Sequence, residues 1–279
     1  MRIVSGGVTD LGRVRTNNED CFRIVESLNL FVLADGMGGE AHGEVASAMA
    51  VETIVKHCTD AQGDSGTTQL GLSEPSWSEK TRRLTNAVHL ANKSIYEAAE
   101  ANPEQHGMGA TLTAGWIDGS KLSIAHVGDS RAYLLRSGNL QQLTSDHSLV
   151  AEQVRRGILT AAEAEESEMQ SVLLRALGAL PDIEVDTDEH TLFAGDILMF
   201  CCDGLTRMVI EPEIAGTLQA EPEPTKAAEK LIALANERGG VDNITVIVVR
   251  VGAESRGWWS WLFGGARNKA AGNGAAGGS

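Results

Sequence analysis

The chain is short of cysteine, of basic residues, of aromatic residues and of long apolar runs, and each shortage removes a class of protein. Its four cysteines are Cys21, Cys58, Cys201 and Cys202. The last two are adjacent in a stretch that reads as a buried strand, which argues against a disulfide framework, so all four are expected to be reduced. No Cys or His cluster has zinc spacing. With 23 basic against 38 acidic residues the formal charge is −15, which argues against nucleic acid or an anionic membrane as main partner. Aromatics make up 4% of the chain, and no basic, aromatic groove for a polynucleotide is visible. No segment reaches the ~18 apolar residues that cross a bilayer. Residues 1–7 also lack the apolar core of a signal peptide, so the cytoplasm is the expected location.

What is present is an apolar content of 42%, ample for a packed core, and a recurring pattern of acids. Asp35-Gly36, Asp129-Ser130 and Asp203-Gly204 each end an apolar run, and Asp242-Asn243 begins one. Any one such pair reads as a turn, since both residue types favour turn geometry. Four of them at strand ends, with Asp20 as a fifth acid, fit a different arrangement. Strand ends meet along one edge of a sheet, and carboxylates gathered there repel one another unless cations neutralise them. Oxygen donors without a zinc pattern imply a hard ion, Mg²⁺ or Mn²⁺.

Periodicity places strands at about 2–9, 20–26 and 29–34, then a helix from near His42 with Ala48, Val51, Val55 and Cys58 on one face. Residues 60–78 read as a surface loop. The next helix carries a packing stripe of Leu84, Val88, Ala91, Ile95 and Ala98. Residues 111–143 read as a meander with turns at Asp118-Gly119 and Ser137-Gly138-Asn139. Two short helices joined at Gly157 follow, with a solvated acidic run at Glu163, Glu165, Glu166 and Glu168. Strands are expected at about 183–191, 196–202 and 243–251, and helices at 211–219 and 224–238. Strand groups separated by helix pairs predict an α+β fold, an antiparallel β-sandwich flanked by helices, rather than a doubly wound parallel sheet. No internal repeat is visible.

Five motifs appear in order: Arg15-Thr16-Asn17-Asn18-Glu19-Asp20, Asp35-Gly36-Met37-Gly38-Gly39, Gly128-Asp129-Ser130-Arg131, Cys202-Asp203-Gly204 and Gly240-Val241-Asp242-Asn243-Ile244-Thr245. Together they resemble the type 2C metal-dependent serine/threonine protein phosphatases in their compact bacterial form, over about residues 2–251. The resemblance implies a four-layer α-β-β-α domain at 1–252, with metals in a cleft at one end of the sandwich and a flap at 147–175. It implies that Asp35 bridges two ions, with the Gly36 carbonyl on one of them. Asp203 and Asp242 complete the second ion's ligands, and Asp129 with Asp203 holds a weaker third. Asp20 acts mainly through metal-bound water, and Arg15 grips the phosphate. The catalytic residues are then Asp35, Asp203 and Asp242, serving two Mg²⁺ or Mn²⁺ ions or three. The partners implied are phosphoprotein substrates and an opposing Ser/Thr kinase, with the oligomeric state open.

The chain departs from the family pattern in places. Met37 stands where eukaryotic relatives carry a histidine, Glu40 where many bacterial ones do, and Cys202 where serine is common. Cys202 reads as a core cysteine, His126 as a core or near-site residue, and His42 is given no catalytic role. Residues 253–279, with Trp258, Trp259 and Trp261 before a Gly/Ala-rich end, read as a disordered tail. Two other functions stay open: a regulatory protein of the same fold that signals by binding, and a two-metal nuclease or phosphodiesterase.

Overall fold

The apolar runs that end at the aspartates form strands buried on both faces, which requires a layer on either side of each sheet. In the computed structural model, described for residues 1–38, 42–60 and 76–253, that requirement is met by four layers. The first half of the chain forms β1 (Arg2–Asp10), β2 (Asp20–Val25), β3 (Leu30–Met37), α1 (Gly43–Thr59), α2 (Glu79–Ala101), β4 (Gly109–Ala110), β5 (Leu112–Asp118) and β6 (Lys121–Val127). The second half forms β7 (Arg131–Arg136), β8 (Asn139–Gln142), α3 (Leu149–Arg155), α4 (Ala161–Glu165), β9 (Asp186–Thr191), β10 (Ile197–Cys201), α5 (Asp203–Thr206), α6 (Glu211–Ala220), α7 (Pro224–Glu237) and β11 (Ile244–Gly252).

One antiparallel sheet runs β1-β11-β10-β7-β8, and the other β2-β3-β5-β6-β9 with β4 on the end of β3. Phe31, Leu33, Leu122, Leu198, Phe200 and Val249 fill the space between the sheets, with the Phe31 and Phe200 rings stacked at 6.0 Å. Ala46, Ala50, Ile54, Leu84, Val88 and Ile95 of α1 and α2 cover the outer face of the second sheet. Ile214, Leu218, Leu231 and Ala235 of α6 and α7 cover the first. This is the α+β sandwich that the pattern predicts. Among the described residues no helix is long and apolar enough to cross a membrane.

Four elements differ from expectation. β3 does not stop at Asp35 but runs on through Gly36 and Met37, because β4 supplies a partner for them. Residues 111–143 are not one meander: β5-β6 belongs to one sheet and β7-β8 to the other, and the chain changes sheet at Gly128-Asp129-Ser130. The buried stripe of α1 is Ala46, Ala50, Ile54 and Cys58 with Val51, which leaves Ala48 and Val55 at its flank. The short α5 begins at Asp203 itself. The α2 stripe is buried as expected from Leu84 to Ile95, with Ala98 partly covered. The Glu163 to Glu168 run is largely exposed, and Glu163 closes a capping box with Thr160 at the start of α4. The loop at 60–78 lies mostly, and the tail at 253–279 almost wholly, outside the described residues.

Candidate metal centre

Antiparallel register builds the first part of the site. Asp20 opens β2 directly opposite Asp35 on β3, so the two side chains project from neighbouring strands on the same face. Asp20 Oδ2 accepts a hydrogen bond of 2.6 Å across the sandwich from Thr245 Oγ1 on β11, which lies 2.7 Å from Thr9 Oγ1 on the neighbouring β1. Its second oxygen, Oδ1, is buried with no partner. A buried carboxylate oxygen without a donor is costly unless a cation faces it. Asp35 is fixed by a reciprocal pair with Thr111: its N–H donates to Thr111 Oγ1 at 3.2 Å, and the Thr111 N–H donates to its carbonyl at 2.8 Å.

The other acids come from the second sheet and the loops. Asp203 is the first residue of α5, and its Oδ2 lies 2.5 Å from Arg207 Nη2. Asp242 precedes β11 and is held by a two-point fork from Arg15, Nη2 to Oδ2 at 2.9 Å and Nε to Oδ1 at 2.9 Å. Asn243 braces the loop that presents Arg15. Its side chain donates to the carbonyls of Leu11 and Asn17 at 3.0 Å each and accepts from the Glu19 N–H at 2.9 Å. Asp129 sits at the crossing between sheets, buried.

Burial pushes Asp20 and Asp129 up to about 7, and the charges of neighbouring aspartates add to the shift in each case. Asp35 is driven well above the carboxylate range by burial and by Asp20, Asp203, Asp129 and Asp242 around it. Asp203 is raised by burial against the pull of Arg207. Such a cluster either takes up protons or neutralises itself with cations. The orphaned Asp20 Oδ1 and a donor set dominated by carboxylates fit hard divalent ions.

Glycine at 36 is a steric necessity of a kind the sequence did not reveal. An added Cβ would stand 2.1 Å from the Gly43 carbonyl oxygen and 2.7 Å from that of Glu19, so the start of α1 packs directly on this strand. Cys202 offers a sulfur within 4.8 Å of ligand oxygens of Asp20 and Asp35. Burial pushes its thiol well above the ordinary value, and it is tied to β11, donating to the Asn243 carbonyl at 3.3 Å and accepting from the Thr245 N–H at 3.1 Å. It is the core cysteine expected, and all four cysteines are free.

His126 is buried, its ring nitrogens 2.9 Å from Thr113 Oγ1 and 3.2 Å from the Ser145 carbonyl. His147 clasps the turn before Asp129. Its N–H donates to the Gly128 carbonyl at 2.7 Å, and its Nδ1 accepts from the Gly128 N–H at 3.1 Å. Its Nε2 lies 3.1 Å from Asp186 Oδ2. His42 is the residue that precedes α1. Sequence reasoning missed the bracing roles of Asn243, Thr245 and His147, and missed Arg207 altogether.

A family model for protein phosphatase 2C matches residues 13–232. The chain is 41% identical over 246 residues to the serine/threonine phosphatase stp of Listeria monocytogenes, covering 86% of this chain and 93% of that protein. It is 37% identical to the serine/threonine protein phosphatase PstP of Mycobacterium tuberculosis, covering 87% of this chain and 44% of that longer protein. A crystal structure of the PstP catalytic domain in complex with two manganese ions superposes with a TM-score of 0.76 at 37% identity, covering 90% of this chain and 99% of that one. The serine/threonine phosphatase of Streptococcus agalactiae superposes at 0.78 with 37% identity, covering 90% and 100%.

Proposed function

The chain belongs to the protein phosphatase 2C family, and from that premise we propose how its own residues divide the work of the reaction. It is a metal-dependent hydrolase of phosphoserine and phosphothreonine in proteins. Asp35, Asp203 and Asp242 would hold two divalent ions, Mg²⁺ or Mn²⁺, with the Gly36 carbonyl as a further donor and Asp20 acting through water on the ions. When bound, the ions neutralise the carboxylates and supply the Lewis acidity that makes water a competent nucleophile at neutral pH.

The protein's part is orientation. Arg15 presents a planar guanidinium, 49% exposed, whose two-point grip on Asp242 suits two phosphate oxygens equally well. Asn243 keeps the Arg15 loop in register with β11 and thus with Asp242. Met37 has no proton to give, so it takes no part in protonating the leaving alkoxide. The substrates are phosphoproteins of the cytoplasm, and the enzyme opposes a Ser/Thr kinase.

The observation that carries this reading is the unpartnered Asp20 Oδ1 facing Asp35 at the end of the sandwich, an arrangement suited to a cation. A regulatory protein that only binds would have no need to keep so costly an acid cluster. Incubation with Mn²⁺ and either a phosphothreonine peptide or single-stranded DNA and RNA tests it. Phosphate release from the peptide alone is expected. Cleavage of the polynucleotides with an intact phosphopeptide would make the two-metal nuclease the correct reading.

A further inference from the structure

We infer that the Arg207 guanidinium takes the place of a third metal ion, so that this protein binds two divalent cations and no more. The inference rests on the two-metal reading above and concerns the side of the cluster where Asp129 and Asp203 were expected to share a third ion. Arg207 follows Asp203 by one helical turn, and α5 carries it straight back over that carboxylate. Its Nη2 lies 2.5 Å from Asp203 Oδ2 and its Nη1 3.9 Å from Asp242 Oδ2. The side chain is three-quarters covered, at 24% exposure. Asp129, Asp203 and Arg207 border one cavity of about 1010 Å³.

The other guanidinium near Asp129 is committed elsewhere. Arg131 grips Asp146 through Nε at 2.9 Å and Nη2 at 2.7 Å, and donates to the Tyr133 hydroxyl at 3.1 Å. Arg207 is therefore the guanidinium that pairs with Asp203. A guanidinium cannot shed its proton in a protein, so its charge is permanent.

A third ion would have to displace Arg207 from Asp203 while sharing its neighbourhood, like charge against like charge in a covered site.

Equilibrium dialysis of the full chain against Mn²⁺, with bound metal counted by elemental analysis, tests this. Wild type is expected to hold two ions per chain, unchanged in Asp129→Asn. Arg207→Asp is expected to gain one, and Asp129→Asn in that background to lose it again. Arg207→Ala, which adds no charge to the cluster, guards against a variant that fails to fold; it is expected to bind a third ion more weakly than Arg207→Asp. Three ions in wild type, falling to two in Asp129→Asn, would overturn the inference and leave the two-metal reading intact. No added ion in either folded Arg207 variant would also overturn it. Fewer than two ions in wild type would remove the reading on which it stands.

Discussion

Arg15 and Cys202 carry the sharpest residue-level expectations, one because its geometry is used and the other because its chemistry is not. Arg15→Lys keeps the charge but loses the fork, which is worth about 1.4 kcal/mol, or tenfold, for a group that must meet two oxygens. The Michaelis constant for a phosphothreonine peptide is expected to rise by about that factor in steady-state assays, with kcat less affected. Cys202→Ser retains a donor for the Asn243 carbonyl and an acceptor for the Thr245 N–H, so phosphatase activity within about threefold of wild type is expected. A folded Cys202→Ser protein without activity would restore a chemical role for the thiol. Asp35, Asp129 and Asp203 were legible in the sequence because each sits beside a turn residue at the end of an apolar run, and Asp242 because it sits beside one at the start of such a run. Arg207 was not, because an arginine four residues after an aspartate reads as an ordinary surface pair until the helix is seen to begin inside the cluster.

At the scale of elements, the segment 147–175 borders the cavity that Asp129 and Asp203 also line, and a selecting role for it can be tested. Its helices α3 and α4 form part of the wall of the large cavity through Val150, Val154 and Ala164, as do residues 206–212. Aryl phosphate needs only the centre, whereas a phosphoprotein must also lie along these walls. Val154→Glu or exchange of residues 161–166 is expected to change rates toward phosphoproteins about tenfold while p-nitrophenyl phosphate hydrolysis stays within about twofold. Equal loss of both activities would contradict a selecting role. The strands and long helices around this segment were readable from periodicity. The division of residues 111–143 between two sheets was not, since a turn at Gly128-Asp129-Ser130 looks the same in sequence whether the next strand pairs or crosses. The extension of β3 past Asp35 depended on β4, a two-residue partner too short to leave a pattern.

For the whole molecule, the acid cluster makes stability depend on pH and metal together. Without metal, Asp20 and Asp129 are held up to about 7 and Asp35 well above its ordinary value, mainly by burial. A carboxyl whose folded pKa exceeds its unfolded one contributes stability that is complete below about pH 4 and lost as pH rises through the folded value. His126, held down to about 4 by burial, and His89, also lowered by burial, work the other way below about pH 6.5, against the raised aspartates, Asp203 among them, and Glu19. The net charge of −15 adds repulsion in the same direction as the carboxyls. In chelator the unfolding temperature is therefore expected to be lower at about pH 7.5 than at about pH 5.5. Mn²⁺ should raise it more at the higher pH, where it has fewer protons to displace. An unfolding temperature in chelator that climbs across that range would contradict the description of the cluster.

The most direct measurement is release of phosphate from a phosphothreonine peptide by wild type and Asp203→Ala, each with Mn²⁺ and with chelator. Turnover by wild type in Mn²⁺ alone is predicted, falling at least about a hundredfold in chelator and in the folded Asp203→Ala protein. A wild-type protein that binds Mn²⁺ and releases no phosphate, or an Asp203→Ala protein as active as wild type, would contradict the account.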